Sequence, residues 1–432
     1  MDLVKKDWHL FSINGEYFLF HCLGSLYQLD EESYKLINNI LNGQKVENNP
    51  NDILAELNGI LSNITHFYPQ DSVDLTLKSL CLNVSHTCNM SCDYCFASHN
   101  FSSNEPLMSP EIAYKAIDFL IESSRDIKNI EIDFFGGEPL LNLETVKKAS
   151  IYGKGEAIKH RKNLRITLTT NGLLLNEDTL NILDDLEISI VLSLDGGEVV
   201  HNHLRHTNTG KGTFEDILPN AQRLAQRRDA GGYYIRGTYT AETLNFSESF
   251  KELRFLGFKY ISLEPVVTEN TRFSIKQEHL SILKGEYEEI AEECLKGDIK
   301  FFHFELPLEE GACLPRLARG CGAGIEYLTV TPNGDIYPCH QFVGYDPFKL
   351  GNVGGPSLDI ALQGEFKSVN TLNNKPTCED CWARYLCGGG CHANNYIMNR
   401  NIYSPYEIGC EIQKLRIEYA LWLKAKKSEV YV

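Results

Sequence analysis

Residues 88–95 read CNMSCDYC, which packs three cysteines into eight positions. A structural zinc ion takes four ligands and a disulfide takes a pair. A 4Fe–4S cube has four irons, usually held by four thiolates. Supplied with only three, it keeps one iron open to chelate a small molecule. Cys88, Cys92 and Cys95 are therefore candidate ligands of such a cube, with half of a zinc site completed elsewhere as the alternative.

A second cysteine field lies toward the C-terminus. It reads CGAGIEYLTVTPNGDIYPC from Cys321 to Cys339, CEDCWARYLCGGGC from Cys378 to Cys391, and then Cys410. Of fourteen cysteines, eight fall between Cys313 and Cys410. Zinc ribbons also use CxxC pairs, so two structural zincs are the competing reading. Cys22, Cys81 and Cys294 stand alone and are expected to be buried apolar fillers.

The elements that must position these groups are legible in the hydrophobic pattern. Short β-rich runs occur at LCLNVSH, IEIDFF, LRITLTT, ISIVLSL, YYIRGTYT and YISLEPVV. Helical patterns such as PEIAYKAIDFLIESS and TFEDILPNAQRLAQRR lie between them, and this alternation implies a parallel sheet. Polar groups gather where the runs stop: GGEP (Gly136, Gly137, Glu138), Thr170-Asn171, and Ser193 with Asp195. Parallel α/β barrels place their chemistry at that end. Two glycines allow close backbone approach, and Glu138 could pair with an ammonium. Arg236 and Glu264 also stand near strand ends.

At 432 residues the chain is too long for one ordinary core, and three regions separate. Residues 1–72 hold HLFSINGEYFLFHCLGSLYQLD, alternating around an Asn14-Gly15 hairpin signal. Asp30 then caps EESYKLINNILNG, and a second helical pattern follows in DILAELNGILSN. Residues 79–307 carry the alternating strands and helices. From 308 to 432 the periodicity fades, so something besides a core is expected to hold that region together. Acidic residues outnumber basic ones 58 to 41, a formal charge of −17, which argues against non-specific nucleic-acid binding. The start, MDLVKKDWHLF, has no apolar signal region, and no apolar run reaches membrane-spanning length. A cytoplasmic location is expected, where many cysteines point to metal or redox chemistry.

With an aromatic residue, Tyr94, before its third cysteine, CxxxCxxC resembles the signature of radical S-adenosylmethionine (radical SAM) enzymes. In that family the open iron binds SAM, and an electron splits it to give a 5′-deoxyadenosyl radical. The resemblance implies a partial (β/α)6 TIM-like barrel over 79–307. It also implies that GGEP takes the methionyl amine, Ser193 and Asp195 the ribose hydroxyls, and Arg205 the methionyl carboxylate. Thr170 and Asn171 would stand nearby, and Arg236 and Glu264 would contact SAM or substrate.

The C-terminal field is similar to the SPASM pattern. It implies one auxiliary 4Fe–4S cluster on Cys378, Cys381, Cys387 and Cys410, and another on Cys321, Cys339 and Cys391. The fourth ligand of the latter is either Cys313 or a substrate thiolate. That makes three clusters in all, plus SAM.

Stretches such as CFAS, IEIDFFGGEPL and EYLTVTPNGDIYPCHQFVG resemble the SCIFF (six-cysteine) ranthipeptide maturases, which form thioethers. Residues 1–72 resemble the winged-helix-like RiPP recognition element that holds a precursor's leader peptide. The implied partners are a Cys-rich precursor and an electron donor such as flavodoxin or ferredoxin. The competing readings are an anaerobic sulfatase-maturase type that forms formylglycine, and a non-catalytic zinc or peptide-binding scaffold.

Overall fold

A computed structural model describes residues 5–44, 76–99, 101, 106–306, 320–355 and 358–429. The expected helix DILAELNGILSN and the candidate ligand Cys313 lie outside the described residues.

The front of the chain forms an antiparallel sheet of β1 (Trp8–Ile13), β2 (Glu16–His21) and β3 (Leu26–Leu29), followed by helix α1 (Glu31–Leu41). Asn14 and Gly15 both have positive φ, 51° and 77°, as the expected hairpin turn requires. The Asp30 side chain accepts from the Ser33 amide and starts α1. This sheet packs on the C-terminal region. The His9 ring stacks on Trp382 with centroids 3.7 Å apart, and Trp422 Nε1 donates to Glu16 at 2.9 Å.

Every expected strand of the middle region forms: β4 (Ser79–Ser85), β5 (Asn129–Gly136), β6 (Asn163–Thr170), β7 (Ser189–Ser193), β8 (Tyr233–Tyr239) and β9 (Tyr260–Pro265). They are parallel and lie side by side in chain order. Winding always in one direction is what a partial barrel needs, unlike a doubly wound sheet that reverses from its middle. Helices α2 (Pro110–Ser123), α3 (Leu143–Lys159), α4 (Glu177–Asp185), α5 (Glu198–Leu204), α6 (Phe214–Arg227) and α7 (Phe246–Phe255) connect them. Strand alternation divides the two faces. Leu80, Leu82 and Val84 of β4 join the main apolar core, as do Ile130, Ile132 and Phe134 of β5. The intervening row carries Cys81, Asp133 and Thr167, and the Thr167 hydroxyl bonds the Asp133 carboxylate.

Two features differ from the sequence reading. The sheet does not stop at six strands. After α8 (Leu280–Leu295), β10 (Lys300–Phe301) adds parallel to β9. On the other side, β11 (Tyr327–Val330) pairs parallel with β4, and β12 (Asp335–Tyr337) and β13 (Gly351–Asn352) continue antiparallel. The C-terminal region also has an apolar core of its own, including Tyr337, Phe342, Phe348, Phe366 and Val369. Its last helix, running Glu407–Glu429, sends Ile417, Tyr419, Leu421 and Trp422 into the main core. Fading periodicity there reflects short elements, not absence of burial. Cys22, Cys81 and Cys294 are buried, and burial pushes each thiol up to about 12, so they are inert fillers.

Candidate functional site

The loop after β4 carries Cys88, Cys92 and Cys95, and the glycines after β5 receive it. Gly137 N donates to Ser85 O at 2.8 Å, and Glu138 N donates to Thr87 O at 2.9 Å. A Cβ on Gly136 would lie 2.0 Å from Ser85 O, and one on Gly137 would lie 2.3 Å from Thr87 O. The glycine pair is thus required by the cysteine loop itself, because only a bare backbone fits beneath it.

Glu138 has no exposed surface. Its carboxylate accepts from Thr170 Oγ1 at 2.8 Å, the Asn171 amide at 2.7 Å and the Leu140 amide at 2.9 Å. Burial raises its pKa to about 7 in spite of these donors. The side chain is a clasp between the ends of β5 and β6. Asn171 extends the clasp, with Nδ2 donating to Asn89 Oδ1 at 2.8 Å and standing 3.7 Å from Cys88 Sγ.

A second knot joins Tyr94, Asp195 and Arg205. Tyr94 donates to Asp195 Oδ2 at 2.6 Å and accepts from Arg205 Nη1 at 2.8 Å. Asp195 Oδ1 also accepts from the Thr238 amide at 3.1 Å. Burial holds the Asp195 carboxyl above its usual range, against the pull of Arg205. Arg205 is buried, and its Nε has no hydrogen-bond partner. An unpartnered guanidinium donor beside Cys92 and Asp195 suits a carboxylate-bearing ligand. His201 and Thr213, which no motif signals, support this knot. His201 Nδ1 accepts from the Asp195 amide at 3.4 Å, and its Nε2 lies 3.0 Å from Thr213 Oγ1. Ser193 ends β7, half-buried, opposite Arg236 of β8.

Arg236 and Glu264 fall in a different group. Glu264, at the end of β9, meets His303 at 3.2 Å, Arg416 at 3.3 Å and Arg236 at 3.9 Å. Burial pushes its carboxyl up, but His303, Arg416 and Arg236 together hold it well below the usual range. Glu264 and Arg416 line a cavity of about 540 Å³ that Cys321, Cys339 and Cys391 also line. Cys387 and Cys410 also reach this cavity.

The cysteines fall into three electrostatically coupled groups: Cys88, Cys92 and Cys95; Cys321, Cys339 and Cys391; Cys378, Cys381, Cys387 and Cys410. Burial pushes Cys92 and Cys391 up to about 11 and Cys410 to about 12. Loading any such site must therefore displace protons. Among the described residues, no group of three or more His, Cys, Asp or Glu could hold a single metal ion. Between the latter two groups lies Lys375, fully buried and unsignalled by any motif. Burial pulls its ammonium down from the usual range, and the neighbouring cysteines of both groups push it back up.

Residues 82–245 match the family model described as the radical SAM superfamily, and residues 321–382 match SPASM, an iron-sulfur cluster-binding domain. The chain joins a radical SAM domain to a SPASM domain. The first implies a 4Fe–4S cluster and SAM, and the second further iron–sulfur chemistry.

The serine-type anaerobic sulfatase-maturating enzyme of Bacteroides thetaiotaomicron is 25% identical over 355 residues, 72% of this chain and 82% of that protein. The radical SAM cyclopropyl synthase TigE of Paramaledivibacter caminithermalis is 22% identical, over 96% of this chain and 93% of that one. Among solved structures, anSMEcpe with bound AdoMet superposes with a TM-score of 0.68 at 22% identity. It covers 82% of this chain and 96% of that one. Streptococcus suis SuiB bound to precursor peptide SuiA gives 0.58 at 17% identity, over 95% of this chain and all of that one. At these identities the structures speak for the fold. No helix among the described residues is long and apolar enough to cross a membrane.

Proposed function

We propose that this radical SAM/SPASM chain installs thioether crosslinks, cysteine sulfur to carbon, in a Cys-rich ribosomally made precursor peptide. The observation that carries the reading is how far different relatives extend. The alignment with TigE takes in 96% of the chain and the fold of SuiB covers 95%, so both must take in part of residues 1–72. The match to the sulfatase-maturating enzyme stops at 72%. A front region shared with SuiB, whose structure holds a precursor peptide, supports a leader-binding role for residues 1–72.

In this reading Cys88, Cys92 and Cys95 hold one cluster and leave an iron for SAM. Cys321, Cys339 and Cys391 hold a second, completed by Cys313 or a substrate thiolate. Cys378, Cys381, Cys387 and Cys410 hold a third. Bound together, the first cluster and SAM supply a 5′-deoxyadenosyl radical able to take hydrogen from an unactivated carbon. The chain's own residues do the placing. Arg205 would offer its unpaired Nε to the methionyl carboxylate, and the backbone from Gly136 to Glu138 would take the amine. Ser193 and Asp195 would take the ribose, while Glu138, Thr170 and Asn171 lock the strand ends beneath. The cavity between Glu264 and the Cys321 group is where the peptide would lie, held away from bulk water.

The test is product mass. A leader-bearing Cys-rich peptide, incubated with anaerobically reconstituted enzyme, SAM and reductant, should lose two hydrogens and protect one thiol from alkylation. Loss of sulfur would mean formylglycine made from cysteine. Loss of two hydrogens with every thiol still alkylated would mean either formylglycine made from serine, which an aldehyde-specific hydrazide label detects, or, without that label, a carbon–carbon bond. Either result overturns the thioether.

A further inference from the structure

The SPASM region contains a charge that no cysteine pattern explains. Lys375 is among the largest fully buried side chains of the molecule, in company otherwise made up of Tyr and Phe. A buried ammonium persists only where hydrogen bonds and opposite charge compensate it. Its Nζ donates to Gly389 O at 2.6 Å and lies 3.4 Å from His392 Nδ1. Gly389 stands midway between Cys387 and Cys391, one from each auxiliary cysteine group. The Lys375 carbonyl accepts from the Cys378 amide at 2.9 Å. One lysine is thus tied to both cysteine groups.

The surroundings are shaped to this lysine. A Cβ on Gly389 would come within 2.9 Å of Nζ, and Gly388, Gly389 and Gly390 all have positive φ. The run CGGGC therefore turns its backbone toward the amine while leaving room for it. His392 beside it is buried and is met by Asn370, whose Oδ1 lies 2.9 Å from His392 Nε2 and accepts from the Gly322 amide at 3.1 Å, next to Cys321. The polar chain from Lys375 ends at the other cysteine group.

We propose that Lys375 is a shared buried countercharge that sets the reduction potentials of both auxiliary clusters. This rests on the reading that the two cysteine groups hold clusters. Net charge and exposure set iron–sulfur potentials. A fixed cation in a dry site favours the more negative, reduced state of each neighbour. Lys375 acts through the clusters and touches no substrate, so it is a positioning residue.

The experiment is an EPR-monitored redox titration of the full chain, reconstituted under anoxic conditions. It is repeated with Cys88, Cys92 and Cys95 replaced by Ala, so that auxiliary signals stand alone. Lys375→Met should shift the one-electron reduction of both auxiliary clusters toward the oxidised form by about tenfold, about 59 mV each. Lys375→Arg should restore both, and the radical SAM cluster should not move. Unchanged auxiliary potentials in an iron-replete Lys375→Met protein overturn the proposal. If Lys375→Met and Lys375→Gln lose iron while Lys375→Arg keeps it, the positive charge is what the clusters require. If all three lose iron alike, Lys375 is only a clasp and the proposal fails. An unsubstituted chain without auxiliary iron would instead refute the cluster reading beneath it.

Discussion

A carboxylate without exposed surface that accepts three hydrogen bonds cannot be read from GGEP alone. The motif announces that Gly136, Gly137 and Glu138 matter; the structure gives the mechanical reason, which is the cysteine loop lying on bare backbone. If the chain holds three clusters as proposed, Gly137→Ala should lose roughly a third of the bound iron and stop deoxyadenosine formation. Iron analysis and chromatography check this; normal values for both would mean the loop tolerates a methyl group at that point.

His201 offers a second residue-scale test. Burial, aided by Arg205, lowers its pKa to about 2, so the folded ring stays neutral while the unfolded ring titrates near 6.5. Between those values the unfolded chain binds the extra proton, so stability is lost as pH falls below 6.5. Down to pH 5 the loss is about 2 kcal/mol. His201→Gln should therefore show a smaller fall in urea stability from pH 7 to pH 5, by about that amount. Cysteine spacing was fully legible in the sequence. His201 and Lys375 were not, because a buried polar partner is defined by neighbours far along the chain.

Among elements, local chemistry spoke most clearly. Asn14-Gly15 fixed the front hairpin, Asp30 started its helix, and Ser109 with Pro110 started α2. Docking between elements was silent. The four-residue β11 zips onto β4 some 250 residues earlier, and periodicity within so short a run carries no register. The front sheet docks in the same hidden way. Arg384 pairs with Asp7 in a buried contact and also donates to Lys6 O at 3.1 Å. Removing one partner strands the other charge. Arg384→Ala should cost about 3–5 kcal/mol and speed proteolytic release of the front sheet. Pairing Asp7→Asn with Arg384→Met should recover much of that cost. Proteolysis at the original rate in the single variant would show that other contacts, such as His9 on Trp382, hold the sheet in place.

At the scale of the molecule, β4 is the seam. One of its neighbours, β5, leads to GGEP; the other, β11, opens the strand pair that runs into Cys339. A single continuous sheet therefore fixes the radical SAM loop relative to the SPASM cysteines, and under the proposed function the cavity between β9 and those cysteines would hold the substrate. Val267 lines that cavity and is bonded to none of the cysteine groups. Val267→Trp should fill part of it without touching the loop after β4. Deoxyadenosine formation without peptide, and iron content, should stay as they were. Crosslinked product should fall by about 100-fold, because a reactive carbon displaced by a small distance no longer meets the radical. Mass spectrometry of peptide and nucleoside from one reaction reads both quantities. Product formed at the original rate would place the peptide elsewhere, and the chemistry would then have to occur outside the space that the continuous sheet encloses.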